Sequence, residues 1–174
     1  MKLVTNSNNI NTLKLLICGN VSKAKLEVAF TAPAKVKPDE RTLDETVKAC
    51  FQDSKETLPV LEVPGCTLFV PVAACQYILE SGNALSSLRA EDESWLHWES
   101  SVLYPLVLSL LSKVTDQTIL QQIKAAMGRL EEVTNKQEIL GGSSLHLTDI
   151  LIWCDLYPLL TDNKVKKDLI TLTA

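Results

Sequence analysis

Residues Leu145–Leu160, LHLTDILIWCDLYPLL, decide the reading of this chain. Leu147, Ile150, Leu151, Trp153, Cys154, Tyr157 and Leu160 recur at helical spacing and cover more than half of a helix circumference. A helix that apolar is expected to be central, with other helices around it. Asp149 stands near its start. There a carboxylate accepts backbone N–H groups that lack intrahelical partners and meets the positive end of the helix dipole. Tyr157 precedes Pro158, which predicts that the helix ends or kinks at that point.

Working back from this helix, the second half of the chain has no strand signal. Gly141-Gly142-Ser143-Ser144 is a turn, and Asn83–Ala90 a linker. Glu91, Asp92 and Glu93 are acids placed for a first helical turn. Trp95, Trp98, Val102, Leu106 and Leu110 follow at helical spacing, with Leu103, Val107 and Leu111 as a second stripe; Pro105 should kink that helix. Thr115-Asp116 caps another helix, with Ile119, Ile123, Met127 and Leu130 facing inward. Asp162–Thr173 predicts one more short helix.

The first half alternates strand and helix signals. Met1–Thr5 is a short apolar run. Ile10, Leu13, Leu16 and Ile17 fall on one helical face, with a stop at Gly19-Asn20. Leu26, Val28 and Phe30 then alternate as in a strand, so the first two strands should be parallel. A Pro- and Lys-containing loop, Thr31–Glu40, leads to a helix from Asp39 with Leu43, Val47, Cys50 and Phe51 on its inner side. Leu58–Val63 and Cys66–Val70, joined by Pro64-Gly65, predict a hairpin. Pro71 suits the first position of a helix over Val72–Glu80 that stops at Ser81-Gly82. The order β-α-β-α-β-β-α is thioredoxin-like. The domain reading is therefore α/β over residues 1–83 and all-helical over residues 88–174.

Composition narrows the function. The 174 residues are 46% hydrophobic and 22% charged, with mean hydropathy +0.11, net charge −4 and pI about 5.2. That balance argues against a self-sufficient nucleic-acid binder. No apolar run reaches the roughly 18 residues of a membrane span, and no secretory pattern opens the chain. The five cysteines and two histidines are scattered without C-x-x-C or H-E-x-x-H. Free thiols in a reducing cytosol fit better than a disulfide framework, and no metal is expected. Cys18 and Cys75 lie within helices and fit packing positions.

A thioredoxin-like half followed by a helical half resembles the glutathione-transferase (GST) fold. Leu58-Pro59-Val60-Leu61 resembles the V-P-x-L of that superfamily, whose proline is cis, and Gly65 matches its hairpin glycine. The apolar helix resembles its capping box and hydrophobic staple, with Asp149 at the acid position and Leu145 and Ile150 at the staple positions. His146 falls where that box has Ser or Thr, so Ser144 or the imidazole would have to substitute. Within the superfamily, Trp95-Leu96-His97-Trp98-Glu99 with Pro105, Asp149-Ile150-Leu151-Ile152-Trp153 and Leu156-Tyr157-Pro158-Leu159-Leu160 resemble the amino-terminal domains of cytoplasmic methionyl-tRNA synthetases. The synthetase motifs H-I-G-H and K-M-S-K-S do not occur in these residues. The resemblance therefore implies an appended domain that cannot itself activate methionine, while the parent ligase would use ATP and methionine.

The resemblance also frames a choice of function. A working glutathione transferase would hold the cysteinyl moiety on the Leu58 backbone. It would hold the γ-glutamyl carboxylate on a Glu/Gln-Ser pair where this chain has Val70 and Pro71. Valine has no polar group, and proline has neither hydroxyl nor N–H, so the charged end would meet apolar surface. Ser7 takes the place of an activating residue, but Ser7 or Asn8 also fits the cap of the first helix. No catalytic residue, cofactor or glutathione is therefore expected. The resemblance implies a cytoplasmic docking domain that pairs with GST-like domains of other synthetases or scaffold proteins and touches tRNA only indirectly. The expected face holds Leu43, Val47, Ala73, Ala74, Gln76 and Tyr77, with Trp95 and Trp98 nearby; a second lies in the late helical half. An active transferase, or a GST-like domain of an elongation factor or scaffold protein, is the alternative.

Overall fold

The computed structural model describes residues 1–5, 9–30, 58–84, 89–111, 117–140, 142 and 144–161. It divides into two compact units, Met1–Ala84 and Leu85–Ala174. The helix expected from Asp39, with Leu43 and Val47, lies outside the described residues. So do Ser7, the Thr115-Asp116 cap and the helix expected over Asp162–Thr173.

In the first unit, β1 (Lys2–Thr5), α1 (Ile10–Ser22), β2 (Glu27–Phe30), β3 (Val60–Val63), β4 (Cys66–Leu68) and α2 (Pro71–Ser81) follow in order. The sheet order is β2-β1-β3-β4. β1 and β2 are parallel, with Leu3 opposite Val28, and β1–β3 and β3–β4 are antiparallel. Gly65 turns the hairpin at φ +85°, a left-handed conformation that a side chain would strain. Leu3, Val60 and Leu61 are fully buried at the middle of the sheet.

α1 buries Thr12, Leu15, Cys18, Gly19 and Ser22 rather than the face of Ile10, Leu13, Leu16 and Ile17. The reason is close packing against α2. A Cβ on Gly82 would come within 2.3 Å of the Ser22 carbonyl oxygen, so small residues set this contact, while Leu16 is exposed and Ile10, Leu13 and Ile17 are half-buried.

In the second unit, α3 (Ala90–Trp98), a π-helical turn (Glu99–Leu103) and α4 (Tyr104–Leu111) run on as one element. Pro105 has no N–H to give the Ser101 carbonyl, and its ring would press on that group. The backbone widens instead, with the Tyr104 N–H bonding the Glu99 carbonyl. The extra residue shifts the buried stripe from Trp95 and Trp98 onto Leu103, Val107 and Leu110 and leaves Val102 39% exposed. α5 (Gln117–Thr134) buries Leu120, Ile123, Ala126 and Leu130; Met127 faces outward, against the expected register.

Of the two outcomes expected at Pro158, an end or a kink, the end does not occur: α6 (Leu147–Thr161) continues through Pro158 to Thr161. It buries Leu147, Ile150, Leu151, Ile152, Cys154 and Leu159. It is not apolar-covered all round. Trp153, Tyr157 and Leu160 are 49%, 42% and 61% exposed, and form one open stripe at i, i+4 and i+7.

Candidate functional site

In the first unit, the place where a thiol peptide would be anchored is built from the start of β3 and the start of α2. The Leu58–Pro59 bond is cis. The Leu58 carbonyl accepts a hydrogen bond from Asn9 Nδ2 at 2.8 Å. Asn9 is the N-cap of α1, and its Oδ1 accepts the Asn11 N–H at 2.8 Å. One amide side chain thus caps the helix and occupies the carbonyl that the sequence left open for a ligand. The cap falls on Asn9, not on Ser7 or Asn8; three consecutive candidates around Asn9 made the sequence signal ambiguous.

Val70 is the N-cap of α2 without a side-chain cap bond, and Pro71 is its first residue. Phe69 and Val70 are both about half exposed. A carboxylate set here would lose water and gain no side-chain donor from either Val70 or Pro71. On the same helix Ala73 is exposed, and Tyr77 is half-buried. Gln76 Nε2 donates to Glu80 Oε1 at 2.9 Å. Ala74 is buried inside the unit and so offers no surface.

In the second unit, Trp95 and Trp98 are buried too. Their rings meet edge-on at 5.3 Å and 88°. The Arg129 guanidinium lies 5.3 Å from one ring centroid and 5.6 Å from the other. The Arg129 side chain of α5 thus reaches over both tryptophans of α3, which place a cation at the surface. Arg129 carried no signal in the sequence, because its position depends on how two helices pack.

Two helix starts in this unit use the same device. The Arg89 N–H donates to Asp92 Oδ2 at 2.9 Å, and the His146 N–H donates to Asp149 Oδ2 at 2.9 Å. In each case the carboxylate three residues on satisfies the cap residue's own N–H. Asp149 Oδ1 also accepts the Leu140 N–H at 2.7 Å, which ties the incoming loop to the helix. Leu145 is half exposed while Ile150 is buried, so the staple covers one partner only.

His146 joins the two starts. Its Nδ1 lies 3.0 Å from Asp92 Oδ1, and its Nε2 lies 3.0 Å from Ser144 Oγ. Burial pushes the Asp92 carboxyl up. The Arg89 side chain and backbone N–H and the neighbouring His146 more than offset it and hold Asp92 below the usual carboxylate range. An ionised Asp92 only accepts, so Nδ1 carries the proton. Asp–His–Ser connectivity also occurs in hydrolase relays. Here Asp92 is shared with Arg89, and His146 is a helix cap, so the array is a clamp between α3 and α6. Among the described residues, no group of three His, Cys, Asp or Glu side chains could hold a metal ion, and no helix is long and apolar enough to cross a membrane.

No family model matches the chain. Over 119 residues, 63% of this chain and 13% of the relative, it is 29% identical to the cytoplasmic methionine–tRNA ligase of Homo sapiens. Over 123 residues, with the same coverage of 63% and 13%, it is 32% identical to that of Xenopus laevis. The chain thus spans about 13% of the length of the curated relatives it matches. Among solved structures it superposes on a possible glutathione S-transferase from Rhodopseudomonas palustris with a TM-score of 0.74 at 19% identity, covering 98% of this chain and 86% of that one. A theta-class glutathione S-transferase of Xanthomonas axonopodis pv. citri, with glutathione bound, gives 0.71 at 16% identity, covering 92% and 82%. At such identities the likeness establishes the fold, which is that of the glutathione transferases.

Proposed function

We propose that this chain, whose fold and partial match fit a glutathione-transferase-like domain of a cytoplasmic methionyl-tRNA synthetase, is a docking domain without chemistry of its own. It pairs with GST-like domains of other synthetases or of scaffold proteins and so assembles a multi-synthetase complex in the cytoplasm. Methionine and ATP belong to the catalytic part of the longer ligase, and tRNA is helped only indirectly.

One observation carries the loss of chemistry. The Leu58 carbonyl, beside the cis bond to Pro59, is taken by Asn9, and the helix start at Val70 and Pro71 offers no side-chain donor to a carboxylate. Support for docking comes from what each unit leaves open. The first exposes Ala73 beside half-buried Gln76 and Tyr77 on α2. The second exposes the Trp153–Tyr157–Leu160 stripe, whose two rings meet at 5.0 Å with a 33° tilt. Contiguous apolar stripes of this kind mark interaction surfaces.

The test mixes the chain with recombinant GST-like domains of synthetases and scaffold proteins on a size-exclusion column. A shift to a one-to-one complex with at least one of them is the expected result. No shift with any, together with retention on a glutathione resin and conjugation of a chlorodinitrobenzene-type substrate, would replace the proposal with a transferase.

A further inference from the structure

A groove of about 490 Å³ runs between the α3–α4 element and α5. Trp98, Val102 and Pro105 form one wall, and Ala125, Ala126 and Arg129 the other. Ala125 and Ala126 keep the α5 side low, which allows close approach of another backbone. Val102 reaches solvent because the π turn rotates it off the core.

Arg129 is the one charged residue lining this groove. The chain as a whole is acidic, with net charge −4. Among the described residues no carboxylate pairs with Arg129. Its guanidinium is instead held in place by the Trp95 and Trp98 rings. A guanidinium placed in this way is suited to a two-pronged bond to a carboxylate, because it is weakly hydrated and presents a planar fork of donors. The groove lies open along its length. A small anion would keep much of its surface in water there, whereas a protein segment brings its own cover.

We propose that this groove receives an acidic–apolar segment of the docking partner. One carboxylate forks onto Arg129, and an aliphatic or aromatic side chain about one helical turn away fills the trough between Val102–Pro105 and Ala125–Ala126. Arg129 then determines which GST-like domain is accepted. This rests on the docking reading above, and adds the chemistry of the partner's contact.

The experiment titrates the GST-like domain that forms a complex with the wild-type chain against three variants, by calorimetry at low and high salt. Arg129→Glu is expected to weaken binding roughly tenfold or more, and Arg129→Lys less. Ala125→Trp fills the groove from an exposed position and is expected to abolish binding while melting as the wild type does. Reversing a partner carboxylate to lysine should restore binding to Arg129→Glu. Wild-type affinity in both Arg129→Glu and Ala125→Trp would overturn the inference and leave the docking proposal standing. Failure of the wild-type chain to bind any GST-like domain would sink the docking proposal itself. Self-association lost in Arg129→Glu, without binding to any such domain, would overturn the inference in favour of a second copy as occupant.

Discussion

Two carboxylates carry more of the second unit than their number suggests. Asp149 accepts two backbone N–H groups, from Leu140 and from His146, and so fixes both the loop and the helix that follows. Replacing it with alanine leaves both donors to find water. A lost cap costs about 1–2 kcal/mol. Asp149→Ala should therefore melt roughly 2–8 °C lower than wild type, given about 2–4 °C per kcal/mol for a domain of this size. An unchanged melting temperature would show that the loop holds without it. Asp92 titrates with a definite sign. Its folded pKa is depressed, so it contributes stability above the ordinary carboxylate range, and that contribution fades as pH falls through the lower folded value. Urea midpoints measured from neutral pH downward should fall below about pH 4. The decline should be shallower in Asp92→Asn, which lacks the depressed carboxyl. Parallel acid limbs in the two proteins would contradict this.

At the scale of elements, small residues and inserted residues decide what faces inward. α1 and α2 meet through Ser22 and Gly82, where an added methyl would have to sit 2.5 Å from the Ser22 Cβ and closer still to its carbonyl. Gly82→Ala should therefore cost about 1–3 kcal/mol by overpacking, read as a shift in the urea midpoint at constant slope; Gly128→Ala, where nothing lies within 4 Å, is the control. The same contact explains a limit of periodicity. The strands, the hairpin at Gly65 and the apolar character of α6 were legible, because each depends on neighbouring residues only. The buried face of α1 was not, since Ile10, Leu13, Leu16 and Ile17 form a regular stripe that close packing overrides. Pro105 announced a disturbance but not its form. A π turn preserves the helix and moves the burial phase by one residue, which no repeat of 3.6 foresees. Within the candidate site, the apolar Val70-Pro71 pair was plain in the sequence. The Asn9 bond to Leu58 spans 49 residues and the Arg129 stack joins two helices, so both needed the fold.

For the molecule as a whole, the docking proposal makes a prediction about thiol-peptide ligands. The cis bond at Pro59 and the helix start at Pro71 lie where the proposed function compares this chain with a transferase. Asn9 occupies the Leu58 carbonyl, and Val70 offers no polar side chain at the helix start. If the loss were only at the carboxylate position, installing a polar pair there would recover binding. We expect it to recover little. Val70→Gln with Pro71→Ser restores a side-chain amide, a hydroxyl and a helix N–H, all aimed at an anion near a helix N-terminus. The Leu58 carbonyl stays engaged with Asn9. The double variant should therefore show weak retention on a glutathione resin, and adding Asn9→Ser, which keeps a capping oxygen but cannot reach across, should strengthen it. Each variant is compared at matched stability, since Asn9→Ser also alters the α1 cap. Strong retention by the unmodified chain would mean that the backbone alone suffices to hold the peptide. Equal retention by the double and triple variants would mean that the Asn9 bond yields to a ligand, and that the Val70-Pro71 position alone limits binding.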